Sequence, residues 1–306
     1  MRNYLFDVPK SKKYRVIIHT DCKNEADDQF ALAHALMTPK FIIKGIIAGH
    51  FDAYPQTWGK GNTAQASYEE VLKILDLMDL KSVYENKVFI GASEALHSEH
   101  DVIITEGARF IVNEAMKEDS LPLFILMQGA ITDLACAILL EPKICDKMTA
   151  VWIGGGPWPE GGDEFNLWND ICAANVVFKS KIPLWQIPMD VYKKIAVSLA
   201  ELQYKVLPCG KIGQYLFQQL VFYNAQHGAD LIWPHGETWG LGDQAVIAVL
   251  LEELERKSYD YVPAPIVDKD MKYIHGGKQR KIRVYKEIDS RHVLEDFFAK
   301  LAINFK

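Results

Sequence analysis

Three aspartates stand close together near the start of the chain, in the stretch HTDCKNEADD at 19–28. Asp21 directly follows the apolar run VIIHT, and Asp27 and Asp28 open the next helical pattern, with Glu25 just before them. N-capping alone would explain one aspartate at a helix start, because its carboxylate accepts hydrogen bonds from first-turn N–H groups. Several carboxylates this close repel one another unless a cation neutralises them. The stretch therefore indicates a site for a hard divalent cation such as calcium or magnesium, which prefers oxygen ligands.

Three later stretches carry polar groups at equivalent places, just after a predicted strand or at a helix start. LMQGAITDLA (126–135) ends a strand at Gln128, and a glycine-rich loop (154–174) leads to Glu164, Asn166 and Asp170. In ETWGLGDQAVIAVL (237–250), Asp243 opens a helix. Taken singly, each has a structural explanation: a tight turn, a polar loop or an N-cap. Together they place carboxylates, an amide and a carbonyl at one edge of a sheet, where open parallel sheets bind ligands.

The elements that must position these residues alternate along most of the chain. Predicted strands cover 16–20, 41–49, 87–92, 122–128, 149–155 and 183–190, and predicted helices cover 27–37, 68–78, 106–118 and 132–142. The strands are apolar without alternation, which is expected when helices cover both faces of a sheet. The pattern predicts an α/β fold with a mainly parallel, doubly wound sheet flanked by helices. No linker or repeat divides the chain, so we expect a single domain over 1–306.

The C-terminal part has a different pattern. It is more helical, with 196–226 and 243–256 the clearest stretches. The segment YIHGGKQRKIRVYKEI (273–288) alternates around a Gly-Gly pair and predicts a small surface β-hairpin. Ser290 is placed to cap a last amphipathic helix that carries Val293, Phe297, Phe298 and Leu301.

Composition limits the classes of partner. The net charge of −6 argues against general nucleic-acid binding. The five cysteines have no CxxC spacing and predict reduced thiols rather than a disulfide frame or a zinc site. No apolar run approaches membrane-spanning length and no signal peptide is evident at the N-terminus. We therefore expect a cytoplasmic protein that binds neither nucleic acid nor membranes.

With these stretches in view, the chain resembles the nucleoside hydrolase superfamily of the inosine–uridine-preferring type. That family opens with a strand and an aspartate-rich DxDxGxDD loop, which HTDCKNEADD resembles. QGAITD resembles its GxLTN-type turn, Glu164-Phe165-Asn166 its EFN motif, PMD (188–190) its GLD-type strand end, and GDQAVIAVL its C-terminal Asp-led helix. The order and rough spacing agree over about residues 15–250.

The resemblance implies calcium-dependent hydrolysis of the N-glycosidic bond of ribonucleosides, or of a related ribosyl compound, releasing base and ribose. A metal-bound water attacks, and an aspartate activates it. The resemblance also implies a homo-oligomer, a dimer or a tetramer. Asp21 matches the general base and a metal ligand, while Asp28, Asp243 and the backbone carbonyl of Gln128 match the other ligands of Ca²⁺. The residues matching those that bind the ribosyl substrate are Asp27, His50, Glu164 and Asn166.

The chain departs from the family pattern at several positions. His19 stands where the family usually has its first aspartate, and the first loop is about two residues longer. His50 takes a position commonly filled by asparagine. Gly242 stands where many members carry a histidine that helps the base leave, and it cannot donate a proton. His227 and His235 are candidates to replace that histidine, although histidines are common in surface loops and a structural role is favoured for both. Trp158, Trp233 and Trp239 are candidates to stack on a base, and loop packing explains each of them equally well.

Three functions are compatible with these residues. The first is the calcium-dependent N-ribohydrolase, favoured because the carboxylate set that catalysis needs is complete. The second is a binding protein of the same fold for a ribosyl ligand, with lapsed catalysis, which the altered first loop and Gly242 favour. The third is a magnesium phosphohydrolase, against which stands the lack of a phosphate-binding Gly-rich loop with Lys and of an aspartyl-phosphate motif.

Overall fold

Strands and helices alternate along most of the chain in the computed structural model, which describes residues 3–227, 236–252, 258–276 and 279–306. The strands are β1 (Tyr14–Thr20), β2 (Phe41–Ala48), β3 (Val88–Ile90), β4 (Leu123–Met127), β5 (Met148–Ile153), β6 (Leu184–Ile187), β7 (Ala196–Ser198), β8 (Thr238–Gly240), β9 (Tyr259–Pro263), β10 (Ile266–Val267), β11 (Tyr273–Ile274) and β12 (Lys281–Tyr285). The helices are α1 (Asp28–Met37), α2 (Thr63–Leu77), α3 (Lys81–Tyr84), α4 (Glu106–Ala115), α5 (Thr132–Leu140), α6 (Phe165–Asn169), α7 (Ile171–Lys179), α8 (Met189–Tyr192), α9 (Leu199–Lys205), α10 (Gly210–His227), α11 (Gln244–Leu251) and α12 (Ser290–Phe305).

The central sheet has eight strands in the order β3-β2-β1-β4-β5-β6-β12-β9. Every neighbouring pair is parallel except β12 and β9. From β1 the chain proceeds outward through β2 to β3, and then returns to place β4 on the other side of β1. Ligands of doubly wound sheets bind at such a reversal, outside the carboxyl ends of the strands. The reversal therefore lies where Asp21 and Gln128 leave β1 and β4.

Both faces of this sheet are apolar, which confirms the predicted α/β class. In β1, Val16 and Ile18 join one buried cluster and Ile17 joins the other, and β4 divides its side chains in the same way. Helices α1, α2, α11 and α12 contribute to the first cluster, and α4, α5 and α7 to the second. Since successive side chains of a strand point to opposite faces, an unbroken apolar run is what two helical layers require.

The hairpin predicted for 273–288 is wrong. Its first strand, β11, pairs antiparallel with β10, so the small hairpin of the chain is built from residues just upstream. Its second strand, β12, lies inside the central sheet, parallel to β6 and antiparallel to β9. Ile282 and Val284 of β12 are buried in the core. The alternating pattern indicated a strand correctly, but alternation does not specify a partner. Gly277 and Lys278, at the expected turn, lie outside the described residues.

The other C-terminal predictions are partly confirmed. The stretch 196–226 begins with β7, which pairs with β8, and its helical part is interrupted between α9 and α10. In α12 the cap is Asp289, whose side chain accepts a hydrogen bond from the His292 N–H, rather than Ser290. The predicted apolar face is buried as expected. None of the helices in the described ranges is long and apolar enough to cross a membrane.

Candidate functional site

A cavity of about 460 Å³ opens at the carboxyl ends of β1, β4 and β5, at the point where the strand order reverses. It brings together seven of the eight residues that the sequence nominated for metal or substrate binding, and His50 is the exception. The described residues that line it are Asp21, Asn24, Glu25, Asp27, Asp28, Tyr54, Gln128, Ile153, Asp163, Glu164, Phe165, Asn166, Trp168, Met189, Tyr192, Lys193, Tyr223, Asp243 and Met271.

Two of the aspartates stand at helix starts without capping them. Asp27 precedes α1 and Asp243 precedes α11, yet neither side chain accepts the first-turn hydrogen bond of an N-cap. Instead, Asp27 Oδ2 accepts a hydrogen bond from the Asp243 backbone N–H at 3.1 Å. Asp28, the first residue of α1, accepts a hydrogen bond from the Thr20 hydroxyl. The helix-cap explanation therefore does not account for these acids.

Three carboxylates form a tight buried cluster. One oxygen from each of Asp27, Asp28 and Asp243 lies within 4.8 Å of the others, and all three side chains are buried. Burial, and after it the charge of Asp27, raises the pKa of Asp28 to about 7. Burial and the neighbouring aspartates likewise raise the pKa of Asp243 well above its usual range. A divalent cation would offset the repulsion among these buried carboxylates, and carboxylate oxygens are the ligands that a hard cation prefers.

Asp21 lies beside this cluster, with one carboxylate oxygen unused. Its side chain is buried, and Oδ2 has no hydrogen-bond partner among the described residues. Burial, and then the charge of Asp28, raises its pKa well above the usual range. A Cβ at Gly129 would lie 2.7 Å from Asp21 Cγ, so only glycine lets the end of β4 approach this closely. A buried orphan oxygen beside three carboxylates fits the metal site that the resemblance implies.

Gln128 and Asn166 are joined through the backbone. The Gln128 carbonyl accepts a hydrogen bond from Asn166 Nδ2 at 3.1 Å, and the same nitrogen donates to the Ile153 carbonyl at 2.9 Å. Both amide hydrogens of Asn166 are thereby used, which leaves its Oδ1 for a ligand. The Gln128 carbonyl retains its second lone pair. Its side-chain Oε1 is buried and without a partner among the described residues.

Glu164 is held more completely than the sequence suggested. It caps α6, and its two oxygens accept hydrogen bonds from the backbone N–H groups of Gly155, Asn166 and Leu167. The Tyr192 hydroxyl donates a fourth hydrogen bond, at 2.6 Å to Oε1. A carboxylate has about four lone-pair positions, so every one of them already has a donor. A substrate hydroxyl can reach Glu164 only by sharing or displacing one of these donors, and Tyr192 is the single side chain among them.

The two histidines near the strand ends face away from the cavity. His19 Nε2 contacts Asp133 Oδ2 at 3.0 Å, so it does not stand in for the family's first aspartate as a cavity residue. His50 Nε2 contacts the Thr132 hydroxyl at 2.9 Å, and Thr132 donates to Asp170. Asp170 also caps α7, which makes its role structural. The role of His50 in ribose binding stays a prediction, now with a buried polar network as its observed environment.

His50 is expected to make stability pH-dependent. Burial lowers its pKa to about 4, so the unfolded chain, with a pKa near 6.5, binds the proton first. Its contribution is present above about pH 6.5 and is lost as the pH falls to about 4, at a cost of roughly 3 kcal/mol. Urea unfolding at pH 7 and pH 4.5 should therefore show a smaller acid loss in His50→Gln than in wild type. The exposed His97→Gln variant should behave as wild type, and equal acid losses in all three proteins would contradict this account.

Sequence reasoning missed most of the cavity's aromatic wall. The aromatic lining residues are Tyr54, Phe165, Trp168, Tyr192 and Tyr223. Two of the tryptophans proposed for base stacking are not among them, since Trp158 packs against Tyr273 and Trp239 is fully buried. The third, Trp233, lies outside the described residues. Phe165 and Trp168 lie three residues apart in α6, but Tyr54, Tyr192 and Tyr223 come from distant segments, so no local spacing signals the wall as a whole.

The position of Gly242 is explained by a neighbour that sequence reasoning also missed. A Cβ at Gly242 would lie 2.8 Å from the ring of Tyr192, so the tyrosine fills the space that a side chain there would need. His227, one candidate replacement for the missing histidine, packs on the Tyr223 ring at 4.6 Å between centroids but does not line the cavity. The other candidate, His235, lies outside the described residues.

Comparisons with known proteins agree with this geometry. The family described as inosine-uridine preferring nucleoside hydrolase matches residues 16–295. The pyrimidine-specific ribonucleoside hydrolase RihA of Salmonella agona is 26% identical over 265 residues, which cover 76% of this chain and 78% of that protein. A plant nucleoside hydrolase, the PpNRh1 enzyme, superposes with a TM-score of 0.71 at 15% identity, covering 94% of this chain and 99% of its own. The purine-preferring ribonucleoside hydrolase from Gardnerella vaginalis has a TM-score of 0.70 at 20% identity, with coverage of 94% and 98%. The shared fold is that of nucleoside hydrolases.

Proposed function

The chain belongs to the inosine-uridine preferring nucleoside hydrolase family, and from that premise we propose that it is a Ca²⁺-dependent N-ribohydrolase. It cleaves the N-glycosidic bond of ribonucleosides, or of a related ribosyl compound, and releases the base and ribose. One observation carries the proposal. The buried cluster of Asp27, Asp28 and Asp243 shares a cavity with the unpartnered oxygen of Asp21.

The ion would be held by Asp21, Asp28, Asp243 and the backbone carbonyl of Gln128. All four offer oxygen, and calcium takes six to eight such ligands in a flexible arrangement, which supports Ca²⁺ as the ion. When bound there, the ion would make a coordinated water more acidic and would help to hold it for attack. The geometric cluster also includes Asp27, whose Oδ2 is already engaged by the Asp243 N–H. We assign Asp27 to the ribose hydroxyls.

Asp21 acts as the general base in this proposal. Its Oδ2 has no hydrogen-bond partner among the described residues, and its carboxylate lies close to Gly129 after the end of β4. A fixed carboxylate with a free lone pair can take the proton from the attacking water as the bond to C1′ forms. Burial keeps competing solvent away from this oxygen, which strengthens its interaction with the proton.

The remaining residues position the sugar and stabilise its charge. Asn166 presents its Oδ1, because its two N–H groups are used by backbone carbonyls. Glu164 contributes through its fixed carboxylate or through the Tyr192 hydroxyl that it holds. Cleavage passes through an oxocarbenium-like state, and the surrounding carboxylates favour the positive charge that develops on the ribose ring.

The test is an assay for reducing sugar with Ca²⁺ present and a panel of purine and pyrimidine ribonucleosides. Ribose release from at least one member is the expected result. Tight nucleoside binding without ribose release from any substrate at high enzyme concentration would instead identify a binding protein with lapsed catalysis. Release of inorganic phosphate from the matching nucleotides, without ribose, would identify a phosphohydrolase.

A further inference from the structure

The wall of the cavity is strongly acidic. Seven carboxyl groups line it, and Lys193 is the single basic side chain that lines it within the described ranges. The carboxyl groups are those of Asp21, Glu25, Asp27, Asp28, Asp163, Glu164 and Asp243. A divalent ion offsets only part of this charge. A cleft lined by one sign of charge concentrates ligands of the opposite sign and repels those of the same sign. The cavity therefore disfavours anionic ribosides such as nucleotides.

Aromatic rings stand at the open side of the same cavity. Tyr54 and Trp168 are 52% and 47% exposed and line the cavity, so both side chains are accessible to a ligand. Phe165 packs edge-on against Trp168, and Tyr223 lines the wall near Asn24 and Glu25. The face of an aromatic ring attracts a cation, most strongly that of tryptophan. Both the charge and the rings of this wall favour a ligand that carries positive charge.

The described part of the wall contains no imidazole to protonate a departing base. The space beside Gly242 is filled by Tyr192, and the proton donors in the described part of the wall are phenols, the Lys193 ammonium and carboxyl groups whose pKa is raised by burial, such as Glu25. A neutral nucleobase leaves with the electron pair of the glycosidic bond and needs a proton to leave as a neutral molecule. General acid catalysis of that kind typically contributes about 10² to 10⁴ in rate.

A leaving group that is already cationic has no such need. In a pyridinium riboside, the ring nitrogen takes the bonding pair as the C1′–N bond breaks, and the base leaves neutral. Water supplies the hydroxyl group at C1′, and its proton passes to Asp21. Resting on the proposed function, we propose that the preferred substrates are N-ribosides whose leaving group carries a positive charge, such as pyridinium ribosides.

The experiment compares kcat/KM for four probes with Ca²⁺ present. Nicotinamide riboside has a cationic leaving group, uridine and inosine have neutral ones, and p-nitrophenyl β-D-ribofuranoside has one that leaves without a proton. We expect kcat/KM for nicotinamide riboside to exceed that of uridine and inosine by at least about 10²-fold. Cleavage of the nitrophenyl riboside, with nicotinamide riboside no better than uridine or inosine, would overturn this inference and leave the proposed function standing. Failure to cleave any probe would overturn the proposed function itself.

A cationic substrate can be cleaved faster because the cavity wall recognises its charge or because its glycosidic bond is intrinsically more reactive. Variants that change the charge of the wall separate these two causes. Asp163 is exposed and lines the cavity, so Asp163→Lys should lower the ratio of kcat/KM for nicotinamide riboside to that for uridine by about three- to tenfold. Asp163→Asn should give a smaller decrease. Asp146→Lys, an equal charge change at an exposed aspartate that precedes β5, at the end of that strand opposite the cavity, is the matched control and should keep the wild-type ratio. An unchanged ratio in Asp163→Lys would contradict the inference.

A paired histidine variant tests for an acid supplied from elsewhere. His227→Ala combined with His235→Ala should leave the ratio of uridine to nitrophenyl riboside turnover as in wild type. A selective loss of uridine turnover would reveal a histidine that protonates the base. That result would overturn the argument that no imidazole assists the departure of a neutral base.

Discussion

Asp21→Asn is expected to lower kcat for the best ribonucleoside by about 10³-fold, within the range of about 10² to 10⁴ that general base catalysis contributes. The amide has the shape of the carboxylate but does not accept the proton of the attacking water. Its carbonyl oxygen can still face the cluster of Asp27, Asp28 and Asp243, so binding of Ca²⁺ should persist. Steady-state kinetics at saturating Ca²⁺, with a calorimetric Ca²⁺ titration of the same variant, measures both quantities.

Asp146→Asn is the matched control, because it makes the same chemical change at an exposed aspartate before β5, at the end of that strand opposite the cavity. It should retain wild-type kcat and Ca²⁺ affinity. Normal turnover by Asp21→Asn would show that another group is the base. A loss of Ca²⁺ binding equal to that of an Asp243 variant would show that Asp21 acts chiefly as a ligand.

The fold could be predicted because the apolar pattern that specifies it lies within single strands. The runs that became β1, β2 and β4 are apolar on both faces, and such runs are stable only between two layers of helices. Given a parallel sheet, the groups at its carboxyl edge follow directly, since Asp21 and Gln128 each come next after a strand end. Seven nominated residues share one cavity for this reason.

The features that could not be predicted depend on contacts between segments that are far apart in the sequence. The segment KIRVY reads as a strand, but nothing in it shows that β12 enters the sheet between β6, far upstream, and β9. In the same way, Gly242 looked like a simple loss of a proton donor. The structure shows that the ring of Tyr192 occupies the space that a side chain at position 242 would need, and that its hydroxyl completes the hydrogen bonds of Glu164. Contacts between loops of different strands leave no periodic signal in the sequence.

Removal of divalent ions is expected to abolish activity and to reverse the pH dependence of stability. The ion contributes several kcal/mol of transition-state stabilisation, so chelation should lower kcat/KM by at least about 10²-fold, and added Ca²⁺ should restore it.

The direction of the pH dependence of stability follows from the raised pKa values of Asp21, Asp28 and Asp243. Without the ion, their contribution is fully present below the unfolded pKa near 3.9 and is lost as the pH rises through the folded pKa, about 7 for Asp28.

With Ca²⁺ the ionised cluster becomes the favoured form, since carboxylates must lose their protons to bind the ion. At one fixed Ca²⁺ concentration, the Ca²⁺-induced rise in Tm should therefore be larger at pH 8 than at pH 5.5. It should reach on the order of 5 °C where the Ca²⁺ concentration is about 100 times Kd. Asp28→Asn removes one of the titrating groups and should flatten this pH dependence, whereas Asp146→Asn should leave it unchanged. A Ca²⁺ shift equal at both pH values would mean that the ion does not bind the buried cluster. The proposed chemistry would then fail as well, because it requires a cation bound to these carboxylates.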